Sequence, residues 1–150
     1  MGSVLEALAP VLAEFPTAEA PLTPEDTAAA GPLASAVERV ASPDLVTVMI
    51  GPDQSFRVEY RGVDGLIEGW RYWLSPYESY RLEVEEMIES DDVLVTCVRQ
   101  FGTPVGGGPE LDAAGAAVWW VRDGRLVRIE FNLNREAAFR SAGLDDPQSS

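Results

Sequence analysis

Residues 116–144 read AAVWWVRDGRLVRIEFNLNREAAFRSAGL, and their punctuation decides the fold class. Asp123-Gly124 is a strong two-residue hairpin signal, because a tight turn of this kind needs residues that tolerate positive φ. The flanking residues are mostly apolar, β-branched or aromatic, so strands over Leu111–Val121 and Arg125–Leu133 meet at that turn. Asn134 then caps a helix that Gly143 ends, with Leu144 placed for the hydrophobic contact of a Schellman motif. An antiparallel hairpin running straight into a short helix is not a βαβ unit.

Working outward, two more strand-like segments precede the hairpin, Ser79–Glu89 and Asp92–Phe101. Before them Asp64 caps a helix through Leu74 whose Leu66, Ile67, Trp70, Trp73 and Leu74 share one face. Phe56, Val58 and Tyr60 alternate with Arg57 and Glu59 as a half-buried strand, and Gly51–Ser55 turns the chain back from a buried strand at Leu45–Ile50. The N-terminal third reads as helix. Ser3 and Glu6 form a capping box, Val4, Leu5, Leu8, Val11, Leu12 and Phe15 make one face, and Pro10 predicts a kink or break. Residues 16–24 read as a proline-rich linker, Thr23-Pro24 opens a short helix, and Pro32–Val40 supplies another. Helices, then a long antiparallel meander, then a closing helix make an α+β domain. Its expected parts are a helical segment at 1–42, an α+β region with the sheet at 43–144 and a flexible tail at 145–150.

Composition excludes much chemistry. The chain has 150 residues, no His, and 11 positive charges that are all Arg. A Ser-His-Asp or Cys-His nucleophile, a His-ligated metal, a Schiff-base lysine and a Walker-type phosphate loop are therefore ruled out. The net charge of −14 argues against nucleic acid and anionic membrane as partners. A single cysteine, Cys97, gives no internal disulfide. With no signal-peptide pattern at the N-terminus and no long apolar run, a soluble, cytoplasmic protein is expected.

Register follows from the turns. With Asp123-Gly124 as the loop and regular pairing beyond it, Ala116, Val118, Trp120, Val127, Ile129, Phe131 and Leu133 share one wholly apolar face that should line the core or a pocket. The opposite face would hold Ala117, Trp119, Leu126, Arg128, Glu130 and Asn132, with Trp119 diagonal to Arg128 as a cation–π pair. With Ser90-Asp91 as the preceding loop, Tyr80, Leu82, Val84, Glu86 and Ile88 share a face with Val93, Val95, Cys97, Arg99 and Phe101. That face is apolar apart from Glu86 and Arg99, which are either a structural pair or functional groups. The acidic run from Glu83 to Asp92 reads as a solvated face rather than a metal cage.

Four pieces of the chain, SPDLVTVMIGPD, VEYRGVDGLIEGWRYWL, YRLEVEEMIESDDVLVTCVRQFGT and AAVWWVRDGRLVRIEFNLNREAAFRSAGL, resemble the SnoaL-like branch of the nuclear transport factor 2-like superfamily over about residues 43–144. The resemblance implies a cone of curved antiparallel sheet wrapped over helices, a homodimer, and a hydrophobic pocket in the cone. It also implies that active members use a pocket carboxylate as general acid or base without a cofactor. Their catalytic sets are not reproduced. The isomerase-like base position carries Met49, and the epoxide-hydrolase-like positions read Cys97, Arg99 and Phe131.

Two functional expectations follow. In the first, the cone binds a small hydrophobic molecule against Trp70, Trp73, Tyr80, Cys97, Trp120 and Phe131, with no metal or cofactor. In the second, it is a cofactor-free enzyme with Glu86 as acid/base and Arg99 holding an anion or enolate. A structural homodimer, paired through the face that carries Trp119, is a third class.

Overall fold

The computed structural model describes residues 4–15 and 31–144. The linker and short helix expected between residues 16 and 30, the Ser3 cap and the tail from Asp145 lie outside them. The described residues form α1 (Val4–Leu12), α2 (Gly31–Val40), β1 (Ala41–Ile50), β2 (Arg57–Arg61), α3 (Gly62–Leu74), β3 (Tyr77–Ser90), β4 (Val93–Pro104), β5 (Leu111–Arg122), β6 (Arg125–Asn132) and α4 (Arg135–Ala142). One sheet runs in the order β2-β1-β6-β5-β4-β3. Strands β3 to β6 are the expected meander; β6 then lies parallel to β1, and every other pairing is antiparallel. The fold is α+β.

Two local expectations change. Pro10 does not break α1, which continues to Leu12 with Pro10 on its exposed side and Val4, Leu8 and Val11 buried at helical spacing. Asp64 is not a cap: α3 starts at Gly62, after Arg61, and Asp64 lies in the first turn, where a carboxylate favours the helix dipole. The last helix is capped as read. Asn134 accepts from the Ala137 N–H at 3.0 Å, Gly143 is left-handed at φ 75°, and the Leu144 N–H donates to the Phe139 carbonyl at 2.9 Å.

Helices α1, α2 and α3 cover the inner face of the sheet, where Leu8, Val11, Val37 and Leu66 meet Leu94, Ala117, Trp119, Leu126 and Ile129. Helix α4 covers the outer face, its Ala138 and Phe139 packing on Val93, Val95, Cys97 and Val118. Gly69 lets α3 press on the sheet: a Cβ there would stand 3.0 Å from the Tyr60 ring and 3.1 Å from the Met49 methyl.

Two bulges set which side chains look inward. At the Asp123-Gly124 turn Arg122 pairs with Arg125 as expected, but Val121 pairs with Leu126 and Trp120 with Arg128, leaving Val127 as the extra residue. From there Trp119 faces Ile129 and Ala117 faces Phe131, so the apolar inner face carries Trp119 and not Trp120. In the preceding hairpin the loop is Asp91-Asp92, with Ser90 opposite Val93 and Asp91 at φ 46°. Glu86 faces Cys97, and the pairing then slips at Glu85, so that Val84 faces Val98 and Leu82 faces Gln100. Each slip by one residue exchanges the two faces of the strand.

Candidate functional site

Between the inner sheet face and the helices lies a cavity of about 120 Å³, partly open to solvent. Helix α3 supplies Ile67, Trp70, Trp73 and Leu74, spaced so that one helical face looks onto the sheet. Phe15 stands behind α1, and Phe56, 44% exposed, comes from the β1–β2 connection. The sheet contributes Met49, Tyr80, Leu82, Thr96, Val98, Gln100, Gly115 and Phe131, among others. Aromatic rings brace one another: Trp70 meets Phe131 edge-on at 6.2 Å between centroids, and Phe131 meets Trp119 edge-on at 6.0 Å.

Polar groups on the walls are few and mostly committed. Thr96 accepts the Trp119 indole N–H at 3.0 Å and donates to the Ala117 carbonyl at 3.4 Å. Asn132 and Gln54 exchange hydrogen bonds of 2.9 and 3.3 Å, which ties the β1–β2 connection to the end of β6. The Gln100 Oε1 accepts from the Tyr80 hydroxyl at 2.5 Å and from the Trp73 indole N–H at 3.2 Å. Burial pushes the Tyr80 hydroxyl well above the ordinary phenol range, so it stays protonated at neutral pH. Among the described residues, no Asp, Glu or Arg lines the cavity.

Of the residues picked from sequence, the structure brings Trp70, Trp73, Tyr80 and Phe131 together around this cavity. Glu86, Cys97, Arg99 and Trp120 stand on the other face of the sheet, a correction that follows directly from the two bulges. Cys97 is buried under α4, and Trp120 packs beside it with the Arg128 guanidinium 5.7 Å from its ring centroid. The cation–π partner is thus Trp120 and not Trp119. Arg99 does not meet Glu86; it donates to Asp112 at 2.6 Å, with both side chains substantially exposed. Trp119, fully buried inside the chain, cannot serve as the dimer contact expected of it. Gln100 is not evident from composition, although its position carries a signal: it alternates with Leu94, Thr96 and Val98 on one face of β4.

Among the described residues no cluster of three or more His, Cys, Asp or Glu could hold a metal ion, and no helix is long and apolar enough to cross a membrane. The sequence matches the SnoaL-like domain model over residues 25–129. The chain belongs to the SnoaL-like domain family. No curated protein matches this SnoaL-like chain significantly. Solved structures share its fold. A protein from Jannaschia sp. CCS1 named as a SnoaL-like polyketide cyclase is 14% identical, with a TM-score of 0.63 over 83% of each chain. An NTF2-like protein of unknown function from Burkholderia pseudomallei K96243 is 19% identical, with a TM-score of 0.62 over 93% of this chain and 97% of that one. TerC, co-crystallised with polyporic acid, is 18% identical, with a TM-score of 0.61 over 92% of this chain and 95% of that one.

Proposed function

We propose that this SnoaL-like chain binds a small hydrophobic molecule in the cavity between α3 and the inner sheet face. The observation that carries the reading is the wall itself: mostly aromatic and aliphatic side chains, with no carboxylate or guanidinium among the described residues. Affinity in such a site comes from apolar burial and shape, not from charge. The volume, about 120 Å³, is close to the roughly 150 Å³ of an apolar cavity that takes up benzene, so one ring fits inside and a second would reach into the open mouth. The enzymatic alternative needs a carboxylate in the pocket, and its candidate Glu86 is on the opposite face. The co-crystal of TerC with polyporic acid is a precedent for a small molecule on this fold. The homodimer implied by the family stays part of the proposal, without Trp119 at its interface; sedimentation giving a monomer at tens of micromolar removes it.

Calorimetric titration with indane, a bicyclic hydrocarbon, tests the reading. Trp70→Ala is expected to weaken binding by about 1–2 kcal/mol through lost aromatic area. Trp120→Ala, altered on the outer face, should leave the affinity unchanged within a factor of about two. Absence of indane binding to the wild-type chain would overturn the proposal.

A further inference from the structure

The hydrogen-bond inventory of the cavity leaves one group unanswered. An indole N–H can only donate, so the Gln100 atom 3.2 Å from Trp73 must be the amide oxygen, and the orientation of that amide is fixed. The Tyr80 hydroxyl donates to the same oxygen at 2.5 Å. Both lone pairs of Oε1 are thereby used, and the two hydrogens of Nε2 are turned to the other side. There they meet no acceptor among the described residues, although Gln100 is only 5% exposed and lines the cavity. Gly115 is beside them: a Cβ at that position would lie 3.6 Å from Nε2, so the missing side chain leaves room next to the amide. The amide donor opens onto the cavity, so its acceptor comes from whatever occupies the site, and a hydrogen bond made there among apolar walls is stronger than one in open water.

We propose that the cavity selects a flat apolar molecule carrying a neutral carbonyl, whose oxygen accepts from Gln100 Nε2. A carbonyl adds an acceptor without a donor of its own, which suits a site whose other polar groups are already paired. A carboxylate fits less well, because no Arg among the described residues lines the cavity to offset its charge and the chain carries a net charge of −14. Gln100 shares the cavity wall with Trp70 and Phe131, so an acceptor held by the amide would orient a ring system that the aromatic walls only bury.

This inference rests on the binding reading above, and matched probes separate the two. ¹⁵N-labelled wild-type protein is titrated with 1-indanone and with indane, which differ by one carbonyl. The side-chain amide protons of Gln100 are expected to move downfield with indanone, well beyond any ring-current shift caused by indane. The ratio of the indane Kd to the indanone Kd should fall roughly five- to tenfold in Gln100→Met. If both probes bind, the amide signals respond alike and the ratio is the same in the variant, carbonyl selection is overturned while hydrophobic binding stands. If neither probe binds the wild-type protein, both proposals fall. The amide signals are read on the wild-type chain, so a poorly folded variant does not shield the idea.

Discussion

Trp119 is fully buried and donates its indole N–H to Thr96, with Phe15 and Phe131 against its ring. Trp119→Ala is therefore expected to destabilise the fold by about 3–5 kcal/mol, read as a drop in the urea midpoint. A loss under about 1 kcal/mol would place the ring outside the core. Arg99→Ala should cost less than about 1 kcal/mol, because the Arg99–Asp112 pair is half-exposed and screened by water. Tyr80 adds a pH signature. Its hydroxyl ionises only above the pH at which an unfolded tyrosine does, since burial disfavours the phenolate. Between about pH 10 and that higher value the unfolded state alone sheds the proton, so stability falls as pH rises. In Tyr80→Phe the fall across this window should be shallower; an unchanged slope in paired denaturation series would contradict the assignment.

At the scale of elements, the bulges at Glu85 and Val127 determine which residues meet in the cavity. The Glu85 bulge is held from outside. Arg135, at the start of α4, donates to the Val98 carbonyl at 2.8 Å, to the Gly115 carbonyl at 3.1 Å, and pairs with the Glu85 carboxylate. Arg135→Met keeps the apolar stem and removes these bonds, so a loss of about 2–3 kcal/mol is expected, with β3 amides exchanging faster than those of β6. Uniform exchange across the sheet would contradict this local role. The same bulges explain what the sequence could and could not reveal. Asp123-Gly124, Asn134 and Gly143 announce themselves because each residue type matches a local backbone demand, and the hairpin and last helix were read correctly from them. Nothing in Glu85 or Val127 marks an unpaired residue, since a bulge reflects packing of the whole sheet and not local preference. Trp70 and Trp73 reach the cavity wall because helical periodicity survives without register; Glu86, Cys97, Arg99 and Trp120 stand on the other face, because strand alternation does not survive a one-residue slip.

For the whole molecule, a chain of net charge −14 builds two apolar layers, one between α1–α3 and the sheet and one beneath α4. The cavity lies on the side of the first layer, and among the described residues its walls carry no carboxylate or guanidinium. Whatever enters should thus be drawn in by burial, with little dependence on salt. The most direct test of that claim uses the four tryptophans as reporters. In a ¹H–¹⁵N spectrum of the wild-type protein titrated with 1-indanone, the indole N–H of Trp73, on the cavity wall, is predicted to shift while that of Trp120, on the outer face, stays in place. A shift confined to Trp120, or no indole shift at saturating indanone, would contradict the account.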